Sequence, residues 1–518
     1  MSAAMDSTAS MTSMTSSRVD DLLRRSAART PQRTALEFAD RTWTYAELDS
    51  AVTRAAARLL GEEAVHGDRV AAYGRNSDAY LIAFLACARA GLVHVPVNYA
   101  LGGEELTYLL EQSGSTLVLT DPALRPAVEE VVDGTGVRRI LDLRDSPGSL
   151  LEGAAEGPLP EVDVQVTETD LVQLLYTSGT TSRPKGAMMT HRALVHEYVS
   201  CLVGLDLEAG DRPLHAMPLY HSAQMHVFLM PWLAVGATNT LVEAPDPADL
   251  LRRIETDRHG AFFAAPTLWV ALANHPEFGD RDLTSLRKAY YGASVMPGPV
   301  LATLQETLPE LGFYNCFGQS EIGPLATVLR PEEHTDRPAS AGRAALFVEL
   351  RVVDGDGHDV APGELGEVVY RSPQLCQGYW DKPEETDEAF RGGWFHSGDL
   401  VRADAQGYIE VVDRIKDVIN TGGVLVASRE IEDVLFAHPG VAEAAVVGVP
   451  DTRWIEAVTA YVVPAPGAGH GALPGLLTDH VKEHLAPFKV PKAVHLVEEL
   501  PRNASGKILK RTLRDGRD

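Results

Sequence analysis

One stretch gathers the residue types that a polyphosphate needs: LLYTSGTTSRPKGAMMTH, residues 174–191. Apolar residues over 171–176 predict a strand that runs into a loop of glycines and small hydroxyl residues, followed by Lys185. Glycine lets the backbone approach a ligand closely, and successive N–H groups form an anion-binding nest. Ser and Thr hydroxyls add donors, and lysine adds a point charge. A P-loop would need Gly directly before the lysine and Ser or Thr directly after it. Here Pro184 precedes Lys185 and Gly186 follows it, so this is a different phosphate loop.

Further stretches carry related chemistry. YYGASVMP (290–297) offers Gly292 and Ala293, too small to block a flat ring. NCFGQSEIGP (315–324) offers Phe317 for stacking, the Ser320 hydroxyl and the Glu321 carboxylate. A carboxylate oxygen suits Mg²⁺, a hard cation. Asp399 in WFHSGDL (394–400) can accept from paired hydroxyls, and Arg414 in DRIKD (413–417) and Lys507 in NASGKILKR (503–511) are cations. Taken singly, each has an ordinary reading: Asp399 a turn residue, Lys507 a solvated charge, Phe317 core, His221 a satisfied core histidine. Cys316 reads as a packed thiol, since no base accompanies it.

Taken in order, over about residues 18–512, these stretches resemble the signatures of the adenylate-forming superfamily of acyl- and aryl-CoA synthetases, peptide-synthetase adenylation domains and beetle luciferases. Ser182 stands where the loop commonly has Gly, and Ser320 replaces the usual Thr. The resemblance implies an ATP-dependent acid–CoA ligase. A small-molecule carboxylic acid would attack the α-phosphorus of ATP to give acyl-AMP and pyrophosphate, and CoA would then take the acyl group as a thioester. ATP, Mg²⁺ and CoA are the implied cofactor and co-substrates.

The implied nucleotide contacts are Thr177, Ser178, Gly179, Thr180, Thr181, Lys185, Gly292, Ala293, Ser294, Asn315, Phe317, Gly318, Ser320, Asp399, Arg414 and Lys507, with Glu321 and Thr181 at the metal. Lys507 corresponds to the adenylation lysine, and Lys185, His221 and Glu321 complete the catalytic set. The acyl pocket would draw on Tyr220, His221, Gln224, Met225, Tyr291, Gly318, Gln319 and Ile322. No Arg stands out there for a second carboxylate and no Asp for an amino group, so a fatty and an aromatic acid both remain open. Gln224, His226 and Gln319 could bond either a ring substituent or backbone. Lys416 corresponds to the pivot of domain rotation, and Gly422 and Gly423 to the pantetheine tunnel. Related CoA ligases commonly read Gly-Gly-Glu-Asn-Val there; this chain reads Gly422-Gly423-Val424-Leu425-Val426. That departure keeps one alternative in view, a ligase-like enzyme with another co-substrate, such as nitrite-dependent diazotisation of an aromatic amine; a different class, an inactive ligand-binding relative, is opposed by the retention of Lys185, Glu321, Asp399, Arg414 and Lys507.

The elements that must position these residues have their own signals. Val19, Leu22, Leu23 and Ala27 recur at helical spacing. Thr44 and Glu47 form a capping box before Leu48, Val52, Ala55 and Leu59. Strand-like runs at 70–73, 92–97 and 116–119 enclose a predicted helix over 79–89. This alternation predicts an α/β fold. Asp-Gly and Pro-Gly turns over 353–366 predict a small β subdomain. Beyond residue 413, helices at 430–437 and 476–485 and strands at 442–449, 457–463 and 494–497 predict a small α+β domain, mobile by the resemblance. The expected division is a disordered tail at 1–17, an N-terminal AMP-binding domain at 18–412, a hinge at 413–417 and a C-terminal AMP-binding-enzyme domain at 418–518.

Composition narrows the partners. The 518 residues hold 46 Lys plus Arg against 72 Asp plus Glu, a net charge of −26, which disfavours nucleic acid and anionic lipid. Cys87, Cys201, Cys316 and Cys376 are far apart and show no C-x-x-C pair, so neither a zinc site nor a disulfide framework is indicated. Residues 1–17 lack the charged start and apolar run of a signal peptide. The apolar region 217–237 is interrupted by His221, Gln224 and His226 and reads as core and pocket wall. The expectation is a cytoplasmic enzyme with no integral membrane segment and no fused carrier domain; a homodimer is compatible with it.

Overall fold

In the mixed sheets of this chain, the alternating helix and strand patterns resolve as anticipated. The computed structural model describes residues 17–177, 183–292, 296, 298–469, 471–502 and 508–516. They divide into two compact units. The first takes in the chain to Ser178, Pro184–Glu349 and Tyr370–Phe395; the second takes in Leu350–Val369 and His396 onward. The small β sheet thus groups mostly with the terminal segment, and the division falls ahead of residues 413–417.

The first unit is built on two sheets. A six-stranded sheet runs in the order Arg139–Asp142, Ser115–Thr120, Arg69–Tyr73, Val93–Val97, Leu171–Thr177, Lys185–Thr190. Its strands pair in parallel except the last, which returns antiparallel at the edge. A nine-stranded sheet contains Pro213–His215, Lys288–Gly292 and Gly312–Phe317 among its members. The helix Asp78–Ala90 is buried on every side, as expected for an apolar helix without a polar face. Ser77 caps it by accepting from the Tyr80 N–H, and Gly91 ends it in the left-handed region at φ 68°. The Thr44–Glu47 capping box forms in both directions.

Within residues 217–237 the chain winds into a π-helical turn, Ala223–Leu229, followed by the helix Met230–Val235. Both are core elements, and no helix among the described residues is long and apolar enough to cross a membrane. All four cysteines are buried and unpaired.

The second unit holds two sheets. Glu349–Val353, Leu365–Arg371, Phe395–Ala403 and Ile409–Arg414 make the four-stranded one. A five-stranded one runs Val424–Val426, Ile419–Thr421, Ile455–Pro464, Val441–Asp451, with Ala493–Leu496 also pairing Ile455–Pro464. The helices Ser428–Phe436 and Leu473–His484 supply Ile431, Leu435, Leu473, Leu477 and Val481 to its core.

Candidate active site

The two strands that flank the expected phosphate loop pair with each other. Thr177 ends one strand and Lys185 begins the next, and the two are register partners. Ser178, Gly179, Thr180 and Thr181 lie outside the described residues, as do Ala293, Ser294 and Lys507. The returning strand is gripped on its other edge by residues 377–380. Gln377 N–H donates to the Met188 carbonyl (2.9 Å), Met188 N–H to the Gly378 carbonyl (3.0 Å) and Trp380 N–H to the Gly186 carbonyl (2.8 Å). Tyr379 is thereby fixed under Lys185, whose Nζ lies 4.3 Å from the ring centroid. The tyrosine Oη donates to Glu321 Oε1 at 2.9 Å. A cation, an aromatic face and a buried carboxylate are brought together from three distant parts of the chain. Burial first, and the Glu321 charge second, push the Tyr379 phenol well above its ordinary range, so it keeps its proton and acts as a hydrogen-bond donor.

Glu321 sits on the short 3-10 turn Ser320–Ile322, which follows the strand Gly312–Phe317. The Glu321 carbonyl accepts the Cys376 N–H at 2.8 Å, and Ala326 N–H closes the loop on the Phe317 carbonyl at 2.8 Å. The turn admits no side chain at Gly318, where a Cβ would lie 1.9 Å from the Pro324 carbonyl oxygen. Beneath it, the fully buried Glu197 accepts the Leu325 N–H (2.9 Å) on Oε1 and the Gln374 amide on Oε2. Gln374 Nε2 also donates to the carbonyls of Ile322 (3.2 Å) and Leu325 (3.1 Å). Burial pushes the Glu197 carboxyl up to about 8. Glu197, Gln374 and Tyr379 were not singled out by sequence reasoning. The run CQGYW at 376–380 was the available signal for the tyrosine; the other two had none.

The turn carrying Tyr220 and His221 abuts this loop, for Ser222 Oγ and Ser320 Oγ share a hydrogen bond at 3.0 Å. Tyr220 meets Tyr99 edge-on at 5.6 Å and its neighbour His221 at 5.0 Å between centroids. Burial pushes His221 down to about 4, so its imidazole is neutral at ordinary pH.

Several of the residues expected at the acyl pocket are buried. Gln224 is fully buried, its oxygen accepting the Met217 N–H (3.1 Å) and its amide nitrogen bonding His215 (2.8 Å). Met225 is fully buried as well, and the π winding of their segment turns both inward. His226 bonds Tyr198 (2.8 Å) and Gln173 (2.6 Å), so it too is engaged inside the protein. Tyr291 is 2% exposed, with its hydroxyl on His334 (3.1 Å), and Ile322 has no exposure. Gln319 and Phe317 are half-buried beside Gly318. Asn315 donates to the Ser340 carbonyl at 3.0 Å. At Gly292 the missing side chain is demanded by the adjacent strand, since a Cβ would lie 2.2 Å from the Cys316 carbonyl oxygen. Cys316 is buried, and burial pushes its thiol up, as suits a packed residue.

In the second unit, Asp399 and Arg414 are register partners on neighbouring strands, joined at 2.6 Å between Oδ1 and Nε. Asp399 is 2% exposed, and its N–H donates to Ser397 Oγ at 3.0 Å. Lys416 lies exposed in the 3-10 turn Ile415–Asp417. Gly422 and Gly423 form the tight turn between Ile419–Thr421 and Val424–Val426, both at positive φ (64° and 86°). The turn presents Val424 and Leu425 at 44% and 70% exposure.

Residues 23–380 match the AMP-binding enzyme family, and residues 430–507 match the AMP-binding enzyme C-terminal domain. The chain is 39% identical over 493 residues to a feruloyl-CoA synthase of Amycolatopsis sp, covering 95% of this chain and 97% of that protein. It is 32% identical to an indoleacetate–CoA ligase of Aromatoleum aromaticum, covering 95% and 96%. Among solved structures, the anthranilate CoA ligase AuaEII in complex with anthranoyl-AMP superposes with a TM-score of 0.90 at 26% identity, covering 96% of this chain and 97% of that one.

Proposed function

The chain belongs to the AMP-binding enzyme family and is an ATP-dependent acid–CoA ligase, and from that premise we propose that its acid is aromatic, of the hydroxycinnamate type. The observation that carries this reading is the ring set Tyr99–Tyr220–His221, tied through Ser222–Ser320 to the loop that bears Glu321. Aromatic faces and edges favour a flat conjugated acid. The feruloyl-CoA synthase likeness supports the same class.

The chemistry has two steps. A carboxylate is a poor acyl donor because oxide is a poor leaving group. The carboxylate oxygen forms a bond to the α-phosphorus of ATP while the bond to pyrophosphate breaks. The CoA thiol, losing its proton, then attacks the acyl carbon, and AMP leaves. Such transfers depend mainly on positioning and charge neutralisation. Lys185 supplies a positive charge to the phosphates, and Lys507 would bridge the α-phosphate and the acid's carboxylate. Neutral His221 orients the acid without competing as a cation. Glu321 fits Mg²⁺: it is a hard oxygen donor, Tyr379 orients one oxygen, and the other has no partner among the described residues. Thr181 would be the second ligand; the metal, when bound, supplies charge neutralisation at the phosphates. Asp399, held by Arg414, presents its carboxylate to the ribose hydroxyls. The same reading makes Lys416 a pivot between the two steps, so Lys416→Pro spares adenylation and slows thioester formation; equal loss of both would contradict it. Four buried free thiols support a cytoplasmic setting.

The test is AMP and thioester formation with Mg-ATP across ferulic, cinnamic, benzoic and fatty acids, with CoA, nitrite or neither. Acyl-CoA with stoichiometric AMP and the highest kcat/KM on a cinnamic acid is the expected result. Preference for a fatty acid would overturn the substrate class, and AMP that rises only with nitrite would overturn the acceptor.

A further inference from the structure

The helix Leu473–His484 in the second unit carries His480, Glu483 and His484 on one face near its C-terminal end. Residues three and four apart on a helix are neighbours. Their potential ligand atoms, one from each side chain, all lie within 4.8 Å of one another. Spacing alone would be a weak signal, because surface histidines are common. The hydrogen bonds of the two rings make it stronger.

His480 Nε2 faces the Val434 carbonyl at 3.1 Å, so that nitrogen carries the proton and Nδ1 keeps its lone pair. His484 Nδ1 faces the His480 carbonyl at 2.8 Å, so that nitrogen carries the proton and Nε2 keeps its lone pair. Metal-binding imidazoles show the same arrangement: one ring nitrogen donates to a carbonyl, which fixes the tautomer and frees the other for the ion. The ring centroids are 4.5 Å apart. Glu483 adds a carboxylate that no described residue engages. A cation here also sits at the negative end of the helix. His438 packs edge-on against His480 at 5.2 Å, but its Nδ1 accepts the Gly440 N–H, which puts the proton on the other nitrogen and leaves no ligand atom.

We propose that His480, Glu483 and His484 form a surface site for a divalent transition metal of the Zn²⁺ type. Two imidazoles and one carboxylate suit zinc, nickel or copper better than Mg²⁺, which prefers oxygen alone. Zn–N and Zn–O bonds of about 2.0–2.2 Å require the exposed side chains of Glu483 and His484 to draw together slightly. Coordination positions left open would be filled by water. The site uses no cysteine and is separate from the residues that carry adenylation, so counting cysteines could not find it.

A second cluster, Asp354, Asp356 and His358, provides the internal control. There the Asp354 carboxylate accepts the N–H groups of Asp356 and His358, both at 2.9 Å, which is how the turn closes. The experiment titrates the full-length, nucleotide-free enzyme with Zn²⁺ by calorimetry, and with Co²⁺ by visible absorption. One Zn²⁺ per chain is expected. His484→Ala should weaken binding by at least about tenfold and abolish the cobalt d–d band, and Glu483→Gln should weaken it less. His358→Ala should change nothing. Zn²⁺ should raise the melting temperature of the wild type and not of His484→Ala, because a ligand of the native state stabilises it. Equal Zn²⁺ affinity in wild type and His484→Ala, or equal loss in His358→Ala, would overturn the proposal, as would a wild type that takes up no Zn²⁺. Ligase activity in Zn²⁺-free Mg-ATP assays should be the same for His484→Ala as for the wild type, so this result stands or falls apart from the substrate reading.

Discussion

Tyr379→Phe is the most informative single perturbation, because it separates two things that one side chain does. The ring lies under Lys185 Nζ at 4.3 Å, and the hydroxyl donates to Glu321 Oε1 at 2.9 Å. Phenylalanine keeps the ring and removes the donor. A hydrogen bond to a charged group contributes about 1.5–3 kcal/mol, more than a neutral one, and its loss leaves a buried carboxylate oxygen unpaired. At about 1.4 kcal/mol per factor of ten, the expected loss in adenylation is about ten- to hundredfold. The assay is ATP–pyrophosphate exchange against Mg²⁺ concentration. Glu321 freed from Tyr379 should rotate away from its metal-binding pose, so half-maximal exchange should need more Mg²⁺. Tyr379→Leu removes the ring as well; a partly buried cation–π contact contributes about 0.5–2 kcal/mol, so the KM for ATP should rise further by a few-fold or more. An unchanged Mg²⁺ dependence in Tyr379→Phe would refute the role given to the hydroxyl. Identical behaviour of the two variants would refute the role given to the ring.

Lys507→Ala should slow pyrophosphate exchange by about a hundred- to a thousandfold, since one oriented charge at a developing transition state contributes about 3–4 kcal/mol; near-normal exchange would remove this lysine from the chemistry. Glu197→Ala leaves the Leu325 N–H without its acceptor and removes one of the three acceptors of the Gln374 amide under the Glu321 loop, so urea unfolding should show a loss of about 2–5 kcal/mol; a midpoint within experimental error of the wild type would contradict its supporting role. Acid should destabilise the fold early. Burial holds His94 and His226 at about 3 and His191, His215 and His221 at about 4. These folded values lie below the unfolded value of about 6.5, so the stability that the neutral rings contribute is complete above pH ~6.5 and is lost as pH falls towards the folded values. Glu197, raised to about 8, works the other way over the same window, because the fold favours its protonated form. His259 and His334 are also held below their ordinary value, and Glu432 and Asp433 above theirs, mainly by burial; the lowered histidines outnumber the raised carboxyls, so urea melts should show a net loss of stability between pH 6.5 and 5, and a flat stability over that window would show that the buried rings do not stay neutral.

What could be read from the chain in advance follows from how local each signal is. The Thr44–Glu47 capping box and the helix after it are decided within a few residues, and both form as their spacing implies. The motif TSGTT-x-x-PKG stands out for the same reason: its donors, glycines and lysine are contiguous, and its described ends, Thr177 and Lys185, are register partners. Burial is not local. Gln224, Met225 and Tyr291 stand next to motif residues in the chain, but a π-helical turn and the packing of a nine-stranded sheet turn them into the core. At Gly292 the carbonyl of Cys316 on the next strand excludes a side chain, a constraint that no neighbouring residue in the chain announces. The chemistry therefore divides in two. On the proposed reading the motifs supply the charges at Lys185 and Glu321, and residues with no motif of their own orient them. Tyr379 reaches both at once, and it can do so only because residues 377–380 are hydrogen-bonded along the edge of the lysine's strand. Glu197 and Gln374 hold the Glu321 turn from below through its backbone. A relative that kept every motif but lost that edge pairing would retain the charges and lose their geometry, and positioning accounts for most of what this class of reaction requires.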